Sequence, residues 1–141
     1  MTITALENLA RSGQLRREDP AQEEIDGLLR SGARRLQDAE NTSLSLESRF
    51  DLAYNAAHAL ALGGLRWRGY RSDNRYIVFQ VLPHTLSIAN EKWRVLDQAH
   101  RKRNQSEYDG VFDIDAALVE AVIRVAREVE TALRALGAVK E

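Results

Sequence analysis

Along most of the chain, apolar residues recur three and four positions apart, the period of a helix with one buried face. Ile3, Leu6, Leu9 and Ala10 predict a brief helix that ends near Gly13. Asp19-Pro20-Ala21-Gln22 predicts a helix start, with Asp19 as the cap, Pro20 at the first helical position and Gln22 in the capping-box slot. Ile25, Leu28, Leu29, Ala33, Leu36 and Ala39 then carry an amphipathic helix to about Asn41. Ser45, with Glu47 behind it, is the next expected cap. From there Phe50, Ala53, Tyr54, Ala57, Leu60 and Ala61 share a face, and the pair Gly63-Gly64 is expected to end that helix. Small residues on this face allow a neighbouring helix to approach closely. A polar connector follows over Leu65–Ser72.

Asp73 is the predicted cap of a fourth helix, with Tyr76, Phe79 and Leu82 inward and Pro83 kinking or stopping it. A fifth helix begins around Asn90, turns Trp93, Leu96 and Ala99 inward, and runs toward Asp109-Gly110. Asp113 is expected to open the last one, whose seam (Leu118, Val122, Val125, Val129, Leu133 and Leu136) spans about 24 residues or roughly 36 Å. Tyr76 to Val81 also reads as a strand, but the helical signals on either side favour helix. The pattern predicts an all-α, up-and-down bundle of four to five main helices. One domain is expected over residues 1–141, with 1–18 a short helical extension.

A 141-residue chain that is 44% hydrophobic buries a core without covalent staples. It has no cysteine, which excludes disulfides, thiol catalysis and cysteine-ligated metals. No apolar run reaches the length of a membrane span, and the N-terminus lacks the basic-then-apolar pattern of a secretory signal. A cytoplasmic location away from membranes is therefore expected. The formal net charge of −1 argues against a polyanion partner until the charges are placed along the chain. From Arg66 to Arg103 there are nine basic and three acidic residues, a net +6; elsewhere eleven basic and eighteen acidic residues give −7. A basic middle interleaved with Trp67, Tyr70, Tyr76 and Trp93 suits phosphates and stacked bases. The competing reading is that these arginines pair with the acidic flanking helices.

The densest polar passage runs from Ala99 to Gly110. At about 100° per residue, Asp97, Arg101, Asn104 and Tyr108 fall within a stripe ~60° wide beside Trp93 and Leu96. Such a stripe presents a guanidinium to hold phosphate, an amide to read a hydroxyl or base edge, and a phenol to stack. It equally suits a buried polar network that orients the helix.

His100-Arg101-Lys102-Arg103-Asn104 through Glu107-Tyr108, on a helix after the segment Ser48 to Leu60, resembles the HEPN superfamily of small helical nucleotide-binding domains. The resemblance covers about Asn41 to Leu133. It implies a four- to five-helix bundle, commonly a homodimer, with the motif helix near the dimer cleft. It also implies metal-independent ribonuclease activity in active members, through Arg-x4–6-His, sometimes followed by a tyrosine. Many members are toxins whose partner is a nucleotidyltransferase that modifies that tyrosine; others bind nucleotides or act as adaptors.

Carried onto this chain, Arg101 is the motif arginine and Tyr108 the motif tyrosine, and Ser106 stands where the histidine belongs. Starting from Arg103 reaches no histidine either. Metal-free RNA cleavage needs a group that moves protons near neutral pH, which a serine hydroxyl without a base does not supply. Arg94 and His100 have the right spacing, but the pair lies upstream of the motif core and its members point to different sides of a helix.

His58 reads as a boundary residue on an apolar face and His84 as a loop residue after Pro83. No paired histidine spacing suggests a metal, and no phosphate loop, serine elbow or dinucleotide fingerprint suggests a cofactor. The expected function is a non-catalytic binding module for RNA, a nucleotide or a protein partner. Arg101, Arg103, Asn104 and Tyr108 are its candidate ligand-binding residues. The alternatives are a ribonuclease using His100 with Arg101 or Arg94, and a purely structural dimer joined through the Leu118–Leu136 seam.

Overall fold

A computed structural model describes residues 2–109 and 114–139. Its helices are α1 (Thr2–Arg11), α2 (Gln22–Ala39), α3 (Leu46–Trp67), α4 (Arg75–Gln80), α5 (Leu82–Thr85), α6 (Asn90–Asp109) and α7 (Ala116–Ala135). The architecture is an all-α bundle. Two short strands, β1 (Arg16–Arg17) and β2 (Tyr70–Arg71), form an antiparallel ladder that pairs Arg16 with Arg71 and Arg17 with Tyr70.

Cross-helix contacts fix the directions of the long helices. Arg49 at the start of α3 donates to the Ala39 carbonyl at the end of α2, while Arg66 near the end of α3 pairs with Glu24 near the start of α2. Those two helices are therefore antiparallel. Arg49 also meets Glu120 in the first turns of α7, and Gly63 meets Leu133 near its end, so α3 and α7 run parallel. Helix α3 is enclosed by α2, α7 and the α4–α5 segment. Phe50, Ala53, Tyr54, Ala57, Leu60 and Leu65 are fully buried along it, with Leu36, Leu96, Val122 and Val129 from its neighbours in the same core. Leu6 of α1 and Leu15 join that core as well.

Several element ends differ from the sequence expectation, each for a tertiary reason. Helix α2 starts after Ala21 rather than Asp19, and no side chain caps it. The carbonyls of Glu18 and Asp19 instead accept from the buried Arg66 guanidinium, at 2.8 and 2.7 Å, which holds this stretch out of the helix. Gln22 does not complete a capping box; its amide donates to Asp26 and its oxygen accepts from the Val139 N–H. Helix α3 runs straight through Gly63-Gly64, because Leu133 and Leu86 fill the space where side chains would project. Asn74, not Asp73, caps α4, while Asp73 is exposed and paired with Arg16. Tyr76 is exposed, and Ile77, Val78 and Phe79 face the core in its place. The break falls at Val81, and Pro83 sits in the first turn of α5. Asp115 caps α7 through the Leu118 N–H at 2.8 Å; Asp113, the expected cap, lies outside the described residues. Ser45 caps α3 as the sequence indicates, accepting from the Ser48 N–H.

Two glycines of α2 have opposite expected effects. A Cβ on Gly32 would lie 2.5 Å from Leu60 Cγ, so α2 and α3 touch there only because the side chain is missing. At Gly27 the nearest atom is the Arg30 guanidinium at 4.0 Å. Gly27→Ala is expected to stabilise by up to about 1 kcal/mol through helix propensity. Gly32→Ala is expected to lose about 1–3 kcal/mol to overpacking, partly offset by the same propensity gain. Urea unfolding of both variants checks the difference. Arg66→Ala strands three carbonyls and leaves Glu24 with Arg71 alone, and is expected to cost about 3–5 kcal/mol in the same measurement.

Candidate functional site

Helices α3, α4 and α6 meet around the phenol of Tyr54, which is fully buried. Phe50 stacks on one side of it, with ring centroids 6.2 Å apart, and His100 lies nearly parallel on another at 6.2 Å. Two cations close over the same ring, the Arg75 guanidinium at 5.4 Å and that of Arg103 at 5.2 Å from its centroid. They therefore stand no further apart than the sum of those distances. Arg75 is steadied by a 3.0 Å hydrogen bond to Asn55 Oδ1, and no carboxylate pairs with it among the described residues.

His100 is held at both ring nitrogens. Nδ1 shares a 2.8 Å hydrogen bond with the Tyr54 hydroxyl, and the Asn104 amide nitrogen lies 3.3 Å from Nε2. With that amide donating, Nε2 accepts, and Nδ1 carries the proton that Tyr54 receives. Partial burial pushes the His100 pKa below the usual imidazole value, Arg103 and Arg75 push the same way, and Asp97 opposes them. His58, one turn along α3 from Tyr54, packs edge-on against Phe79. Burial, followed by the charges of Arg75, His100 and Arg103, brings its pKa down to about 4. At neutral pH the cluster thus holds two neutral imidazoles under two fixed positive charges.

The predicted site residues divide between two sides of α6. His100, Arg103 and Asn104 belong to the cluster. Arg101 faces outward with its side chain 74% exposed, bound to Asp97 at 2.7 Å, so the stripe expected to join it to Asn104 is split. Arg94 is exposed on that outer side, away from His100. The side chains of Ser106 and Tyr108 lie outside the described residues. Tyr54, Asn55 and Arg75 are not among the candidate site residues of the sequence, and His58 is read there as a boundary residue. The available signal was the spacing of Tyr54 and His58, two polar-tipped side chains four apart on an apolar helix face.

Part of the basic middle is structural. Arg66 and Arg71 share Glu18 and Glu24 in one network, and Arg68 donates to the Thr85 carbonyl. Among the described residues no group of three or more potential ligands could hold a metal ion, and no helix is long and apolar enough to cross a membrane. Compared with protein-family models, curated proteins and solved structures, the chain matches none.

Because folded His58 holds its proton less tightly than the unfolded chain does, acid favours unfolding. Its contribution is complete above about pH 6.5 and is lost as pH falls toward 4. Between about pH 7.5 and 5 this amounts to roughly 2 kcal/mol, a range above that in which the salt-bridged carboxylates protonate. Urea unfolding at the two pH values is expected to show that loss in the natural protein. In His58→Gln the remaining dependence is expected to be smaller by about that amount.

Proposed function

We propose that this chain is an HEPN-like helical module that binds a phosphate-bearing ligand, an RNA or a nucleotide, at the Tyr54 cluster. The observation that carries this reading is the convergence of Arg75 and Arg103 over one buried phenol, beside the neutral side chains of His100, Asn104 and Asn55. Guanidinium forks match phosphate oxygens, and Arg75 has no carboxylate partner among the described residues. Asn104 and Asn55 stand beside the two arginines with amides suited to sugar hydroxyls or base edges.

Binding fits the geometry better than proton transfer. A general acid or base needs a nitrogen open to the substrate, and both nitrogens of His100 are engaged by Tyr54 and Asn104. His100 accordingly acts as a positioning residue that sets the Asn104 amide and α6 against α3. Arg101, which the resemblance makes the motif arginine, stands outside the cluster in its ion pair with Asp97.

Titration of the purified protein with adenosine and guanosine monophosphates and with mixed RNA in EDTA tests the reading. Arg75→Gln and Arg103→Gln are each expected to weaken mononucleotide binding by about 10- to 100-fold, the loss of one charge-assisted contact of roughly 1.5–3 kcal/mol. RNA is expected to remain intact. Cleavage in EDTA that His100→Ala abolishes assigns the ribonuclease chemistry instead. Absence of any nucleotide or RNA binding overturns the proposal in favour of a purely structural protein.

A further inference from the structure

Helix α6 has a second polar face that the Tyr54 cluster does not use. Arg94, Gln98, Arg101, Lys102 and Gln105 follow the i, i+4, i+7, i+8, i+11 spacing of one helical side and line a shallow open depression. Lys102 is half-buried and the other four are exposed. All five side chains are long and polar, and none is acidic. Arg101 is in an ion pair with Asp97; Arg94 and Lys102 are in none among the described residues. With the exposed Glu91 on the same side one turn before Arg94, three cations stand against two carboxylates, which leaves this side net positive in a protein whose net charge is −1.

Spacing and chemistry narrow the partner. Arg94 to Lys102 spans about 12 Å of helix axis. Successive phosphates of one strand stand about 6–7 Å apart, so that length matches two or three of them. The interleaved glutamine amides can donate to phosphate or sugar oxygens, contacts that position a strand without reading its sequence. A lipid surface would require apolar side chains beside the cations, and the lining holds none. By helical rotation this face lies roughly 100–160° around α6 from His100. A mononucleotide in the Tyr54 cluster therefore cannot touch it, whereas a chain passing over α6 can.

We infer that the outer face of α6 is a track for the phosphodiester backbone of a nucleic-acid strand. The track rests on α6 alone. It draws on the proposed phosphate site only for the further step that one strand engages both, which makes the ligand a polymer.

The test is the salt dependence of binding to a short labelled RNA strand, read by fluorescence anisotropy. The triple variant Arg94→Gln, Arg101→Gln, Lys102→Gln is compared with a control carrying Arg11→Gln, Arg30→Gln and Arg34→Gln, three exposed arginines on α1 and α2. Each phosphate contact on a single strand contributes about 0.7 to the slope of log K against log salt, so the track variant is expected to lose about 1.5–2 from that slope. The control is expected to keep the natural slope, and both variants to keep mononucleotide binding and the natural melting temperature. An unchanged slope in the track variant overturns the track and leaves the Tyr54 site standing. An equal loss in the control also overturns it, by assigning the effect to net charge. Equal binding of anionic phospholipid vesicles through the same residues overturns the nucleic-acid assignment. Track-dependent RNA binding without mononucleotide binding supports the track and overturns the Tyr54 site.

Discussion

Helix α3 is walled in on nearly every side, and the remaining elements are arranged around that enclosure. A helix approached from several directions can carry large side chains only between its neighbours, not beneath them. Ala53, Ala56, Ala57, Ala59 and Ala61 are buried along it, and its two glycines receive Leu133 and Leu86 directly. Those contacts are why α7, the parallel and nominally diagonal partner in an up-and-down bundle, touches α3. The polar requirement falls at the two ends. Arg49 and Arg66 are buried guanidiniums, and a buried charge is tolerated only with its donors engaged. Arg49 is met by the Ala39 carbonyl and Glu120. Arg66 is met by Glu24 and by the carbonyls of Glu18, Asp19 and Tyr70. Meeting these requirements fixes where α2 begins, where the small ladder forms and how α7 docks.

The Tyr54 cluster inherits this rigidity. Tyr54 cannot shift without moving the packed face of α3, so its hydroxyl is a fixed point to which His100 and then Asn104 are tied. Around it the electrostatics are lopsided. Burial first, and then the two guanidiniums, press the nearby imidazoles toward neutrality, as the depressed pKa values of His58 and His100 express. At Arg66 and Arg71 the same residue type is matched with Glu18 and Glu24, and those carboxylates have lowered pKa values. The fold is thus able to neutralise its own arginines where they serve structure. It supplies no such partner to Arg75 among the described residues.

The all-α class, the long helices and the apolar seam of α7 were legible because they depend on periodicity, a local property. Helix ends were less so. Asp19 and Gln22 carry good capping chemistry, but the Arg66 guanidinium forty-odd positions away competes for the same backbone, and nothing near Asp19 announces it. Gly63-Gly64 looks like a stop because glycine is a poor helix former. Here the close approach of Leu133 and Leu86 outweighs that propensity. Of the cluster, His100, Arg103 and Asn104 stood out in a dense polar passage. Tyr54 and His58 did not, since an aromatic ring on an apolar face looks the same in sequence whether its polar tip is buried in a network or wet.

Charge read along a sequence counts residues, whereas a ligand meets only the charge left after internal pairing. The +6 window divides among different tasks once folded. Arg66 and Arg71 are consumed in the knot with Glu18 and Glu24, Arg68 holds a carbonyl, and Lys92 is tied to Glu128. Arg75 and Arg103 gather over Tyr54, while Arg94, Arg101 and Lys102 line the outer side of α6. The acidic remainder of the chain is therefore not a uniform screen against polyanions. Its carboxylates are spent close to where they are needed, at the base of α2 and along α7. What net charge cannot express is this division of the cations between internal partners and outer faces, which the packing of the helices sets.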